Sequence, residues 1–180
     1  MIRTMVLAGA LLASPALAQD VPAPLPAKID QPLANRIISQ SMQRRSETEA
    51  LITNWTAARL TEELTTRLKD RTAILFQPGH GVYVEYTAAD GRVFMWYSGN
   101  RRAVHGTWSV VAFGGHPQAC FHYAESTNPV TQVYEPTECP DASQTLADMG
   151  VIASRQGDVF NLRSDKLPFV KGPLDIPALP

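Results

Sequence analysis

Hydrophobic and polar positions repeat along this chain with two different periods, and the change falls near residue 72. Before that point the period is helical. Leu33, Ile37, Ile38 and Met42 recur at helical spacing after Asp30, a side chain suited to an N-cap, and after Pro32, which a first turn tolerates. Ser46-x-x-Glu49 is a possible capping box, followed by Leu51, Ile52, Trp55 and Ala58 on one apolar side. The stretch therefore reads either as one long helix or as two short ones, with Trp55 as a packing anchor. Leu60, Leu64 and Leu68 form the stripe of a further helix. Glu62 and Glu63 near its start and Arg67, Lys69 and Arg71 near its end suit the helix dipole, and Glu63 can pair with Arg67. The basic polar face that would lay such a helix on a membrane is missing.

From residue 72 onward the period is two. Residues 72–76 form a short strand that ends at Pro78-Gly79. In 81–87, GVYVEYT, Val82, Val84 and Tyr86 share one face, and Tyr83, Glu85 and Thr87 the other. Asp90-Gly91 is a turn signal. The next strand, RVFMWY at 92–97, is apolar on both faces, as expected of a central strand. Gly99-Asn100 turns the chain again. Residues 103–113 and 118–123 are two more strands, joined through Gly114-Gly115, and His80 and His116 fall in turns. In this pair Gly106, Trp108 and Val110 share a face with Ala119, Phe121 and Tyr123, while Cys120 and His122 point the other way. Gly106 marks a bulge or a place where a bulky neighbour crosses the backbone. Beyond Cys139, residues 143–152 suggest a short helix and DVFNL at 158–162 an edge strand. The Pro-rich end reads as an extended tail or a strap across the surface.

These elements predict an α+β fold: an antiparallel β-meander, barrel-like or half-barrel, preceded by N-terminal helices and carrying one disulfide. The organisation reads as a signal peptide at 1–18, a Pro-rich linker at 19–32, a helical segment at 33–58, a β-rich globular domain at 59–170 and a Pro-rich tail at 171–180.

The first of these segments changes the compartment. Arg3, the uncharged apolar run 5–12, Pro15 and Ala16-Leu17-Ala18 are the parts of a secretory signal peptide in order, with cleavage expected near Ala18. The apolar run is shorter than the roughly 20 residues that cross a bilayer. The expected product is periplasmic or secreted, with no membrane anchor in the mature chain. Charge is nearly balanced, with 16 Lys+Arg against 17 Asp+Glu and a net charge of −1. No basic excess meets a phosphate backbone, so nucleic acid is not an expected partner.

Export also bears on Cys120 and Cys139, the two cysteines of the chain. An oxidising compartment favours joining them. Closing a loop of about 20 residues stabilises by roughly 3 kcal/mol in the chain-entropy model. A redox-active pair is the sharper alternative, but the C-x-x-C spacing that usually marks one is absent.

Candidate chemistry is sparse. The four histidines form no H-x-H or H-x-x-x-H pair, and His105 and His122, on neighbouring strands, are the weak metal candidates. Neither a G-x-S-x-G elbow nor a phosphate-cradling Gly-rich motif is present. Glu85, Asp90, Glu125, Glu135 and Glu138 are the carboxylates in or near the sheet, and Glu85 with Glu125 is a possible acid–base pair for an envelope hydrolase. Tyr83, Glu85, Trp96, Arg101, Arg102 and His122 would line the mouth of a barrel if they face the same way. Asn128-Pro129 initiates a turn inside the Cys120–Cys139 loop, and Thr131 can bond back to the local backbone, giving a rigid exposed NPVT loop of the kind that carries recognition.

Taken together, 81–86 (GVYVEY), Ala89-Asp90-Gly91-Arg92, Trp96-Tyr97, Gly106-Thr107-Trp108, Cys120-Phe121-His122-Tyr123, Asn128-Pro129-Val130-Thr131 and Glu138-Cys139 resemble a group of small secreted alphaproteobacterial proteins of unknown function. The shared arrangement covers roughly residues 60–140. The G-x-W followed by CF-x-Y is more loosely similar to small periplasmic β-proteins of the DUF995 or lipocalin-like kind. The resemblance implies a disulfide-stapled periplasmic β-domain and no particular activity. The expected function is thus a non-enzymatic binding or accessory protein without a cofactor. Its partner would be an envelope protein, an envelope polymer or a small ligand. Binding would involve Asn128, Thr131, Tyr83, Trp96 and Arg101. A metal-binding protein using His105 and His122, or the carboxylate hydrolase, are the rivals.

Overall fold

The computed structural model describes residues 26–123, 127, 132, 134, 136–169 and 171–180. The helical period builds two helices. Helix α1 (Gln31–Ile52) starts at Asp30, whose side chain accepts from the Leu33 amide, with a proline in its first turn. It runs unbroken through Ser46, so the capping-box pattern there marks no helix start. No Gly or Pro follows Ser46, and Glu-Thr-Glu-Ala simply continues the helix. Helix α2 (Ala57–Leu68) is capped by Thr56 and buries Leu60, Leu64 and Leu68. Arg67 Nε donates to Glu63 at 2.8 Å along its surface. Trp55 packs beside Leu60 and Leu64, with the Arg59 guanidinium 4.1 Å over its ring.

The two-residue period builds β1 (Arg71–Gln77), β2 (Gly81–Thr87), β3 (Arg92–Tyr97), β4 (Val104–Phe113), β5 (His116–His122), β6 (Thr137–Glu138) and β7 (Ala153–Gln156). They form one antiparallel sheet in the order β6-β5-β4-β3-β2-β1-β7, a half-barrel that does not close. The doubly apolar β3 is the central strand, as its pattern predicts. His116 opens β5 opposite Phe113 rather than lying in the turn. The edge strand beyond β1 is Ala153–Gln156, not DVFNL. Asp158 turns that stretch instead: its carboxylate accepts from the Leu162 and Arg163 amides, and Asn161 takes a left-handed φ of 56°. A single turn of 3-10 helix follows at Leu162–Ser164. The predicted helix after Cys139 is α3 (Ala142–Asp148), which begins at the Asp141 cap and stops short of Ile152.

The sheet is covered on both faces. On one, Val82, Val84, Tyr86, Phe94 and Trp96 pack against Phe160, Leu162 and Ile176 from the C-terminal part. On the other, Met95, Tyr97, Trp108, Phe121 and Tyr123 lie under α2 and α3, and α1 lies along α3. The C-terminal residues are a strap rather than a tail. Val82 N donates to the Pro173 carbonyl and Gly99 N to the Lys171 carbonyl. Gly81, at φ +79°, leaves the room this needs, because a Cβ there would run into the Pro173 carbonyl. Ile29 N donates to Leu174 O, Ile176 N donates to Ala27 O, and Ile29 and Ile176 are both buried.

Candidate functional site

Two cross-strand rows of side chains from β1, β2 and β3 make the floor of a cavity on the helix-covered face. Leu75 pairs with Tyr83 and Tyr83 with Tyr97; Ala73 pairs with Glu85 and Glu85 with Met95. The Tyr83 and Tyr97 rings are tilted, 5.8 Å apart between centroids. Ile37, Ile38 and Ser41 of α1 and Gln144, Thr145 and Asp148 of α3 form the opposite wall, and Phe121 and Glu138 lie at one end. The cleft, open to solvent on one side, has a volume of about 340 Å³. Met42, predicted to be on the apolar side of α1, is 69% exposed and stands at the rim.

Glu85 is the unusual residue of this floor. Apolar side chains surround a carboxylate on a central part of the sheet, and loss of solvation pushes its pKa up from 4.5 to about 7. A hydrogen bond from Tyr123 pulls the other way, and Glu138 adds to the rise. The Tyr123 hydroxyl donates to Glu85 Oε2 at 2.7 Å. Among the described residues no second donor reaches this carboxylate. Its remaining accessible surface opens on the cavity that it lines. Burial and the Glu85 charge together push the Tyr123 and Tyr83 phenols well above their usual range, so both stay protonated. Across the cavity Ser41 Oγ donates to Asp148 Oδ1 at 2.5 Å, and burial raises the Asp148 pKa.

Tyr123 reaches Glu85 because of Gly106. The Tyr123 side chain crosses the sheet from the end of β5 over β4, and a Cβ on Gly106 would stand 2.7 Å from Tyr123 Cδ1 and collide with the His122 carbonyl. The glycine therefore marks a crossing, not a bulge. Trp108, two residues on, fixes the other side of this corner. Its indole Nε1 donates to Ala88 O at 2.8 Å and its amide to Gly91 O, tying β4 to the Asp90-Gly91 turn. The G-x-W spacing thus has two separate jobs, one for the glycine and one for the tryptophan.

Of the sequence-predicted candidates, the cavity takes Tyr83, Glu85 and Glu138. Trp96 is on the opposite face, fully buried, with its Nε1 donating to Asn100 O and its ring edge-on to Phe169 at 4.7 Å. Tyr83 and Trp96 cannot share a mouth, because Trp96 pairs with Val84 and so points with it to the strap side. Arg101 is exposed in the turn between β3 and β4. Asn128, Thr131 and Glu125 lie outside the described residues. Cys120 and Cys139 form the disulfide, with Cα atoms 4.2 Å apart, on the face away from Phe121. His105 and His122 are engaged separately: His105 Nε2 bonds with Asp165 Oδ1 and His122 Nδ1 with Thr137 Oγ1, each at 2.7 Å. Among the described residues no group of three or more His, Cys, Asp or Glu side chains is placed to hold a metal.

Sequence reasoning named Glu85 but not Tyr123, Tyr97 or Asp148 as its company. The usable signal was a carboxylate in mid-strand, on a face that the neighbouring strand fills with Met95 and Tyr97. No family model, curated protein or solved structure matches this chain.

Proposed function

We propose that this chain is an exported, non-enzymatic binding protein that holds a small, largely apolar ligand between α1, α3 and the sheet. The observation that carries the reading is the cavity of about 340 Å³ over Tyr83, Glu85 and Tyr97. A hollow of this size, walled mainly by apolar side chains with a few convergent polar groups, has the proportions of a ligand site, about 300 to 1,000 Å³. The leader-like residues 1–18 and the closed Cys120–Cys139 pair support export to the periplasm or beyond.

The test is native mass spectrometry on protein taken from the periplasm of its own host without reducing agent. The expected spectrum shows a chain processed near Ala18, two hydrogens lighter than its thiol form and carrying a small added mass. Ile38→Trp, which fills the hollow from α1, is expected to abolish the added mass and leave the oxidised chain folded. A bare wild-type chain ends the ligand reading, and an unprocessed one ends the export reading.

A further inference from the structure

We infer that the ligand of this cavity is an organic cation: a protonated amine on a short apolar body, with its N–H directed at Glu85. This rests on the ligand-binding reading above and narrows it to one chemistry. Among the described residues the walls carry three carboxylates, Glu85, Glu138 and Asp148, and no Lys, Arg or His. Arg45, the cation that acts on Asp148, is engaged by Asp141 and Gln144. A ligand anion would meet no positive side chain among the described lining residues, and the Arg45 charge behind Gln144 is already matched by Asp141.

Glu85 supplies the second observation. Tyr123 occupies Oε2, and no other donor among the described residues reaches the carboxylate, so Oε1 is left for what enters the cavity. A carboxylate is an acceptor only, and the group that completes it is a donor, best a charged one. Next to it stand the Tyr83 and Tyr97 rings, whose faces attract a cation. The three methionines of the lining, Met42, Met95 and Met149, and Phe121 suit the apolar remainder.

The experiment compares three probes that share one body and differ in the head: phenylbutylamine, phenylbutanol and phenylbutyrate. Each is titrated into the oxidised protein by isothermal calorimetry at pH about 8, where Glu85 is ionised and the amine still charged. The amine is expected to bind roughly tenfold tighter than the alcohol, the worth of one charged hydrogen bond, and the butyrate not to bind. Glu85→Gln is expected to bring the amine to the level of the alcohol. Equal binding of all three, lost in Ile38→Trp, overturns the cation inference and leaves the cavity reading standing. A tenfold preference that survives Glu85→Gln also overturns it. Binding of none of the three removes this inference, and a bare mass in the native spectrum then removes the cavity reading as well.

Discussion

Tyr123 and Glu85 meet across the width of two intervening strands, hydroxyl to carboxylate at 2.7 Å. The contact joins the end of β5, where the disulfide loop begins, to the middle of β2, at the floor of the cavity. It couples the charge state of the cavity to the stability of the sheet.

The first consequence is a pH dependence. Glu85 holds its proton to about 7 in the fold but only to 4.5 when exposed. Between those values the folded protein binds a proton that the unfolded chain has released, so stability falls as pH rises through the window. Tyr83, Tyr123 and Glu138 are the ionisable groups that act on it, and none supplies a compensating positive charge. On the acid side Asp90, held down to about 2 by Arg92, works in the opposite sense, and its contribution is lost as pH falls toward 2. Thermal melts are expected to drop by about 5 °C between pH about 5 and 8 in the wild type, and Glu85→Gln to remove that drop. Parallel profiles for the two proteins would show that Glu85 is not the titrating group.

Tyr123→Phe separates the hydroxyl from the ring. The ring still lies over Gly106, but Glu85 loses its donor. A hydrogen bond to a charged group is worth about 1.5 kcal/mol or more, and that loss is expected at neutral pH in chemical denaturation. Because the Tyr123 bond lowers the Glu85 pKa, the alkaline drop in stability moves to higher pH in the variant. An unmoved inflection would break the proposed coupling.

Gly106→Ala is expected to be among the most damaging small substitutions on the sheet. The added methyl meets the His122 carbonyl and the buried Tyr123 ring, so backbone or ring must shift to admit it. We expect a loss of about 3 kcal/mol, read as a lowered urea midpoint at unchanged slope. Gly114→Ala, with φ at +57° but open space around it, is the control, at about 1 kcal/mol. Equal effects would mean that backbone conformation, not the Tyr123 crossing, explains the glycine.

The Cys120–Cys139 bond closes a separation of 19 residues. Replacing both cysteines by serine is expected to cost roughly 3 kcal/mol. It also releases the segment that brings Glu138 to the end of the cavity. Loss of stability with an unchanged affinity for the cavity ligand would show that Glu138 does not shape the site.

Much of the fold was legible from period alone. The helix stripe, the two-residue alternation from β1 to β5 and the turns at Asp90-Gly91 and Gly114-Gly115 come from local steric rules, and they reappear in the structure. Ser46 left one helix or two undecided, because a capping box and two ordinary helix residues look alike when no breaker precedes them. DVFNL misled because Val159, Phe160 and Leu162 are dense in strand-forming apolar residues, while the Asp158 carboxylate captures the local amides first. The site was harder to read. Ile38, Glu85 and Asp148 come together only because α1 leans on α3 and α3 on the sheet. Periodicity gives which side of a helix is buried, not which neighbour buries it. Trp96 went to the wrong face for a simpler reason: on a strand apolar on both sides, one position in error reverses every assignment.

The strap has a topological consequence. Lys28 bridges to Asp175, and the backbones of Ala27, Ile29, Leu174 and Ile176 exchange hydrogen bonds, so the two ends of the described chain lie side by side. The domain is a ring that lacks a single link. A short linker from 180 to 26 would complete it, and the exposed Gly114-Gly115 turn, with open space around both residues, is where it could be cut again. In such a circular permutant β4 and β5 would become the terminal strands, while Glu85, Tyr123 and the cavity kept their neighbours. The order in which the elements are connected would then be incidental to the site, and the contact between the ends would be what keeps them in place.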